Sequence, residues 1–445
     1  MKINLAGYNY DPDFGENIRT PETLSAAYAR ISRSKKSVEH LREDACRGVE
    51  KARKSNEKII FGLGHASVAE HAVFNFDIID ISRYLTEMLQ HHRLASFTEK
   101  SQRYVKFNKN FHIPSEIRGY GLEKEFEAFC RECFEQYSSI IESCHSADID
   151  SEKINEDARY VLPLSTYTQM GMTVNGRTLE YMIAVLNSRD ISEAHELGQA
   201  LFGNVRKLAP SIIKYTEGSA HLRHSIDSQG HGIFDNELLD YTPNANRDIA
   251  AMYLFERGVD YSAAQDRASK SDVRESIFKE IFSRMEMWDS PPRIFEHSKF
   301  TFGLSLSASA YAQLKRHRMS SQTVQAYNFN ESPVIPETLK EAGAEYIIDE
   351  MHEKSRTIAE KLGNVSKSLM PYAALNSTRR NVIITMDARE IYHFSRLRSD
   401  SHAQWEIRDI SDRICSTVKK IYPDIFMLLG GKDRFGSIRE NALEL

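Results

Sequence analysis

Two short stretches carry the residues best suited to bind an anionic ligand. In the first, Glu99, Ser101 and Arg103 occupy every second position. In an extended segment these side chains project from one face, where they offer a carboxylate, a hydroxyl and a guanidinium together. Such a set suits a polar ligand that has both donors and anionic oxygens. Taken alone, the triplet also fits a solvated edge strand.

The second stretch is Arg-His-Arg at 316–318, which closes a predicted helix. Two guanidiniums can grip phosphate or carboxylate oxygens, although cations also stabilise a helix C-terminus without any ligand. Arg398 is more informative, because on its predicted helix it shares the inward stripe of Ile391 and Phe394. An arginine buried there needs an anion or several acceptors.

Other candidate motifs carry little signal. Cys130 and Cys133 have the spacing of half a zinc site, but no second pair follows and they fall on an apolar helix stripe, so we expect core packing. No glycine fingerprint of a phosphate loop or a dinucleotide fold is present. We predict no metal site from three histidines in a Gly- and Ser-rich segment, namely His221, His224 and His231.

These stretches occupy equivalent places in the two copies of a tandem duplication. Residues 88–104 align with 313–328, and the Asn-Gly-Arg at 175–177 aligns with the Asp-Ala-Arg at 387–389. Repeats of this length indicate two copies of one fold.

The repeat sets the expected domains. We predict a first half at 1–217, a linker at 218–234 and a second half at 235–445, each half large enough for its own core. The pattern of residues 1–60 predicts helices, and afterwards each half shows alternating strands followed by several helices. This order indicates an α+β fold.

Composition narrows the function classes. Of 445 residues, 41% are hydrophobic and 27% charged, with a net charge of −5. The negative net charge gives no general attraction to nucleic acid. No apolar run approaches the roughly 18 residues that a membrane span needs. Five cysteines are too few for a disulfide scaffold in a chain of this length. The N-terminus lacks the basic start and apolar core of a signal peptide. We therefore expect a cytoplasmic protein with neither nucleic acid nor membrane as partner.

Together the motifs resemble the flavin-dependent thymidylate synthase family, duplicated and fused. The family signature is R-H-R, two residues and S, then E-x-S-x-R-Y, later A-R-x-V-L-P-L, and an N-A-R helix leading to L-R-x-D-x-H-A-Q-W-E. The first half matches at 92–104 and 158–164, and the second at 316–321 and 397–406. The resemblance covers most of both halves. It implies an α+β fold with a mixed or antiparallel sheet and several helices in each half.

The resemblance also implies an activity. This is reductive methylation of dUMP, with methylenetetrahydrofolate as carbon donor, FAD as hydride carrier and NADPH as reductant. Active sites in the family lie where the subunits of a tetramer meet, which implies a homodimer that acts as a pseudo-tetramer. The chemistry needs no enzyme nucleophile, in keeping with cysteines that lack an activating setting.

By resemblance, two residue sets bind the nucleotide. The first set is Glu99, Ser101, Gln102, Arg103 and Arg159, and the second is Gln313, Arg316 and Arg398. Arg398 matches the residue against the pyrimidine edge, so we assign it the catalytic role of electrostatic activation.

The two halves differ in which set they keep. At the places of the second set, the first half has Met88, His91 and Leu186. At the places of the Glu-Ser-Arg triplet, the second half has Val324, Ala326 and Asn328. Random decay would scatter losses over both sets. The division predicts one complete composite site per pair of halves.

The resemblance implies a flavin site as well. The candidate positions are His65, Ser67, Glu99, Asn175, Arg177, Arg316, His317, Arg318 and His393, of which His393 stands where the family usually has an asparagine. In the second half Pro291 and Arg293 replace the family's His and Thr, and Asp387 replaces its Asn. We therefore expect FAD as the cofactor, with altered contacts in the second half.

Two alternatives stay open. The same flavin chemistry could modify C5 of another pyrimidine nucleotide, or the chain could be a catalytically inactive nucleotide- or RNA-binding paralogue. Retention of Arg398 together with the whole triplet argues against an inactive paralogue. A bound-flavin spectrum and dUMP-dependent oxidation of the reduced flavin would discriminate.

Overall fold

The computed structural model describes residues 1–14, 19–103, 105, 110–147, 149–223 and 234–443. His224, His231 and most of the predicted linker lie outside these ranges. Within them, every helix is too short or too polar to cross a membrane.

The first copy contains four strands and eight α-helices in the described ranges. In chain order they are β1 (Lys2–Tyr8), α1 (Glu22–Ala29), α2 (Val38–Arg47), α3 (Val49–Glu57), β2 (Val73–Ser82), α4 (Arg83–Gln90), β3 (Ala95–Glu99), α5 (Glu123–Ser146), α6 (Ser151–Ala158), β4 (Tyr167–Asn175), α7 (Gly176–Leu186) and α8 (Ser192–Val205). Short 3₁₀ segments at Ala66–His71 and Arg159–Val161 carry residues of interest.

The second copy repeats this order. Its elements are β5 (Glu237–Tyr241), α9 (Ala245–Glu256), α10 (Tyr261–Ala268), α11 (Ser271–Phe282), β6 (Phe300–Ser307), α12 (Ala308–Leu314), β7 (Ser321–Asn328), α13 (Glu337–Glu341), α14 (Glu345–Val365), β8 (Arg379–Met386), α15 (Ala388–Arg398), α16 (Trp405–Ile421) and α17 (Phe435–Leu443). 3₁₀ segments lie at Arg293–His297 and Lys367–Tyr372.

Each copy builds a four-stranded antiparallel sheet. The strand orders are β1-β2-β4-β3 and β5-β6-β8-β7, which is the same topology twice. The registers also agree, because Ser82 pairs with Tyr167 and its counterpart Ser307 pairs with Arg379. The predicted α+β fold of two homologous halves is confirmed.

The pattern of burial explains the central strand and corrects one prediction. In β2 the side chains of Phe74, Phe76 and Ile78 are buried on one face, as their alternation predicts. The helices predicted for residues 1–60 begin only at Glu22, because Lys2–Tyr8 forms β1. β1 is an edge strand that pairs only with β2, and its side chains are mostly half-buried, so its sequence carries no clear alternation.

The chain divides into two compact units, which do not follow the repeat. The first unit is Met1–Asp227 with Ile335–Asn376, and the second is Ser228–Val334 with Ser377–Leu445. Helices α13 and α14 of the second copy thus belong to the first unit. There α14 packs on α5, with an ion pair of 2.5 Å between Lys354 and Glu132.

A reciprocal contact joins the two copies inside the first unit. The Leu164 amide donates to the Ala374 carbonyl at 2.8 Å, and the Asn376 amide donates to the Leu162 carbonyl at 2.9 Å. In the repeat, Leu162 corresponds to Ala374 and Leu164 to Asn376, so each bond is the image of the other. This is the pattern of an isologous, two-fold interface, here formed within one chain.

Candidate active site

Glu99 is held by two residues of α4. Its carboxylate accepts from Arg83 Nη1 and from Gln90 Nε2, both at 2.9 Å. The side chains of Arg83 and Glu99 are only 7% and 2% exposed. A buried ion pair of this kind fixes the carboxylate at the end of β3.

Arg103 and Arg159 meet at Glu156 on α6. Arg103 Nε donates to the Glu156 carboxylate, and Arg159 Nε donates to the Glu156 carbonyl at 2.8 Å. Burial lowers the pKa of the Arg159 guanidinium, and the guanidiniums of Arg83 and Arg103 lower it further. Arg83 and Arg103 are each paired with a carboxylate, so the buried Arg159 guanidinium is the one that a bound anion would stabilise most.

The extended segment expected through Arg103 is wrong in part. β3 ends at Glu99, and a turn follows, in which the Arg103 amide donates to Ser101 Oγ at 3.2 Å. A serine that captures a nearby amide favours a turn over a strand. Gln102 is buried, and its Oε1 accepts from Asn376 Nδ2 at 3.2 Å, so this side chain braces the turn from within the first unit.

The second cluster lies in the second unit around Arg398. Its Nη1 donates to Gln313 Oε1 at 2.7 Å, its Nη2 to the Gln313 carbonyl at 3.1 Å, and its Nε to His317 Nε2 at 2.9 Å. Arg398 is half-buried rather than fully buried. The predicted need for several acceptors is confirmed, and three of them orient the guanidinium.

The Arg-His-Arg segment follows α12. His317 is buried, whereas Arg316 and Arg318 are exposed on either side of it. Burial lowers the pKa of His317 well below its usual 6.5, and Arg398 and His393 add to the effect. His317 is therefore neutral near pH 7, while two accessible guanidiniums flank it.

The predicted flavin contacts in the first unit form one neighbourhood. His65 and Ser67 are exposed at the start of a 3₁₀ segment. Arg177, in the first turn of α7, is paired with Glu70 of that segment at 2.7 Å. Asn175 caps α7 by accepting from the Thr178 amide at 2.9 Å.

Each unit offers exposed side chains whose chemistry suits an anionic dinucleotide. Arg177, Arg316 and Arg318 are exposed guanidiniums, and His65 and Ser67 add an exposed imidazole and an exposed hydroxyl. Of the nine predicted flavin contacts, five belong to the first unit, including Glu99, and four belong to the second.

The second copy carries an aromatic stack where the first has none. The guanidinium of Arg380 lies over the rings of Tyr327 and Tyr311, 4.2 and 4.5 Å from their centroids. Its Nε and Nη2 both donate to the Gln325 carbonyl, at 3.2 and 2.8 Å. The positions in the first copy are Thr168, Gln102 and Thr86. Side chains of the second copy thus fill the neighbourhood of its altered triplet.

The sequence alone did not identify Arg83, Gln90 and Glu156 as parts of the site. A signal for two of them exists in the comparison of the copies. Arg83 and Gln90 are replaced by Ala308 and Lys315 in the half that has also lost the glutamate.

Both copies anchor the helix before the Arg-His-Arg position in the same way. The Glu193 carboxylate accepts from the amide and hydroxyl of Ser82, each at 2.7 Å, and from the Tyr372 hydroxyl at 2.8 Å. Glu406, the last residue of the H-A-Q-W-E motif, accepts likewise from the amide and hydroxyl of Ser307. These glutamates fix the start of α4 and α12.

We expect Glu193→Ala to lower the free energy of unfolding by about 2–4 kcal/mol, because it leaves a buried amide and hydroxyls without an acceptor. Urea denaturation measures the change. Glu196→Ala on the exposed side of the same helix is the control and should change stability by less than about 0.5 kcal/mol. Equal stabilities of the two variants would contradict the anchoring role.

Comparisons with known proteins agree on one family. The family model described as thymidylate synthase complementing protein matches residues 16–211 and again 237–424. The UPF0159 protein Ta1429 of Thermoplasma acidophilum is 24% identical over 435 residues, covering 83% of this chain and 86% of that protein. The flavin-dependent thymidylate synthase of Clostridium tetani is 31% identical over 215 residues, covering 44% of this chain and 82% of the relative.

A solved structure is also similar to part of the chain. It is the flavin-dependent thymidylate synthase of Helicobacter pylori complexed with FAD and dUMP. It is 19% identical with a TM-score of 0.34, covering 48% of this chain and 100% of that one.

Proposed function

The chain belongs to the thymidylate synthase complementing protein family, the flavin-dependent thymidylate synthases, as two tandem copies, and we propose that it methylates dUMP to dTMP. In this proposal methylenetetrahydrofolate supplies the carbon, and NADPH supplies the reducing equivalents. FAD, when bound by the exposed donors described above, carries the hydride.

One observation carries the proposal. The two residue sets that the resemblance assigns to the nucleotide are each kept whole, but in different copies, and two members of each set are held together by hydrogen bonds. Arg103 and Arg159 share Glu156 in the first unit, and Gln313 orients Arg398 in the second. Selection for a single composite site explains such a division better than loss of function does.

The proposed roles are those that the family resemblance implies, and the charges of the side chains support them. Arg103, Arg159 and Arg316 bind the phosphate, because guanidiniums form charge-assisted hydrogen bonds to its oxygens. Together with these arginines, Ser101 and Gln313 hold the phosphate and the sugar. Arg398 stabilises negative charge that develops on the pyrimidine, since its guanidinium is oriented before the substrate binds.

The direct test is turnover of the FAD-loaded protein. With NADPH and methylenetetrahydrofolate present, we expect dUMP to be converted to dTMP, with release of tritium from dUMP labelled at C5. Parallel reactions with UMP and with dCMP test the alternative that another pyrimidine nucleotide is the substrate. A protein that binds flavin and dUMP but forms no dTMP would refute the proposal.

We also propose that two chains assemble as a homodimer that holds two nucleotides. Only a pairing of the Glu99–Arg103 face with the Gln313–Arg316–Arg398 face is complete. The alternative pairing lacks several charge-assisted hydrogen bonds, each worth about 1.5–3 kcal/mol, and Arg380 is already stacked beside the altered triplet.

Calorimetric titration of the FAD-loaded protein with dUMP should therefore saturate at one nucleotide per chain. Light scattering in the same buffer should give the mass of a dimer. Saturation at two equivalent nucleotides per chain, or a fully active monomer, would contradict the composite-site proposal.

A further inference from the structure

Glu390 is a buried carboxylate that belongs to neither nucleotide-binding set. It lies on α15, eight residues before Arg398, and its Oε1 is 3.4 Å from His317 Nδ1. The two side chains are 5% and 1% exposed. Neither atom has a hydrogen-bond partner elsewhere in the part of the chain that the structure describes. Because an unpaired buried polar atom is costly, a small rotation that joins these two is favoured.

The hydrogen bond with Arg398 determines which ring nitrogen of His317 carries the proton. A guanidinium only donates, so His317 Nε2 must offer its lone pair to Arg398 Nε at 2.9 Å. The neutral ring then carries its proton on Nδ1, and this proton faces Glu390. The order of contacts is thus Glu390, His317, Arg398 and Gln313.

The first copy provides an internal comparison. It keeps the buried histidine as His92, whose ring contacts Tyr181 as that of His317 contacts His393, each at 5.6 Å between centroids. Where the second copy has Glu390, the first has Thr178.

The places of Arg398 and Gln313 are taken in the first copy by Leu186 and Met88. At these equivalent positions the first copy has neither the carboxylate nor the arginine. The carboxylate is present only where the arginine is.

We propose that Glu390 is a positioning residue for Arg398. It accepts the proton of His317 Nδ1, which fixes the tautomer whose Nε2 accepts from Arg398 and so holds the guanidinium in its reactive orientation. Without this acceptor the ring can turn its N–H toward Arg398, and two donors then face each other. The inference rests on the proposed function of Arg398 and adds a residue to it.

The test compares two substitutions of similar volume. Glu390→Gln keeps an oxygen acceptor, and Glu390→Leu removes it. We expect Glu390→Leu to lower kcat by about ten- to a hundredfold, the range found when a metal-bound histidine loses its outer hydrogen-bond partner, with a smaller change in KM for dUMP. Glu390→Gln should stay within about threefold of the wild type.

Thr178→Val is the matched control at the equivalent place of the first copy and should not change kcat. A merely structural role predicts a different result for Glu390→Leu. Removing one partner of a buried contact leaves the His317 Nδ1–H without an acceptor, so thermal stability should fall under either role, whereas a structural role alone leaves kcat of the folded enzyme unchanged.

Nitrogen-15 spectra of selectively labelled histidine, assigned with His317→Gln, report the tautomer directly. We expect the Nδ1–H form in the wild type and in Glu390→Gln, and loss of that form in Glu390→Leu. An unchanged tautomer in Glu390→Leu, or an unchanged kcat, would overturn the inference. Failure of the wild type to methylate dUMP would refute the proposed function instead, and the tautomer would still decide whether Glu390 controls His317.

Discussion

Arg398→Ala should abolish most turnover while leaving the fold intact. The side chain is half-buried, and three acceptors on Gln313 and His317 orient it. Removing one partner of an oriented charged contact costs about 2–5 kcal/mol, which corresponds to a roughly 30-fold to several-thousand-fold loss in rate or affinity. Because the activating charge acts on the transition state, kcat should fall more than the affinity for dUMP.

Single-turnover oxidation of the reduced flavin by dUMP and methylenetetrahydrofolate measures the effect on chemistry alone. Arg413→Ala on α16 is the control, since this arginine is 54% exposed and forms only a surface pair with Asp409. It should stay within threefold of the wild type. Methylation by a folded Arg398→Ala protein at a rate within threefold of the wild type would disprove the assigned role.

The parts of the fold that the sequence predicts are those where burial imposes a period. The alternation of β2 and the apolar stripe of α5 each follow from one buried face, and Cys130 and Cys133 lie in that stripe as predicted. The sequence did not predict β1, because the half-buried side chains of an edge strand need not alternate between apolar and polar types. The sequence does not predict that residues 335–376 pack with the first copy. Both copies of a repeat offer a similar surface to the same helix, so only tertiary packing decides which copy the helix joins.

The candidate site, like the fold, could be predicted from the sequence only in part. The resemblance placed Gln313 in one set with Arg398, but it did not identify Gln313 and His317 as the acceptors of Arg398. They lie 85 and 81 positions away, so the hydrogen bonds are visible only in the folded chain. Arg83 and Glu390 were missed because a buried charge opposite a functional residue has no local motif. The turn after Glu99 was missed because Ser101 captures the Arg103 amide, which an alternating pattern does not reveal.

Mirror-image substitutions in the two copies should have very different effects. Arg103→Ala removes a phosphate contact and leaves Glu156 facing the nucleotide without its ion-pair partner, so we expect a loss of about 30-fold or more in kcat/KM. Its counterpart Asn328 is buried and accepts from the Asn330 amide at 3.1 Å. Asn328→Ala should therefore cost about 1 kcal/mol of stability and leave kcat/KM of the folded enzyme unchanged.

The reverse asymmetry should hold at the Arg-His-Arg position. Arg316 is exposed after α12 and is proposed to bind phosphate, so Arg316→Ala should reduce kcat/KM by about 10- to 150-fold, the equivalent of one charge-assisted hydrogen bond. His91, its exposed counterpart, has no proposed ligand, and His91→Ala should be nearly silent. Steady-state kinetics of all four variants, corrected for the folded fraction, decide the matter. Equal damage within either pair would mean that both kinds of pairing bind nucleotide, and the division of labour between the two copies would have to be abandoned.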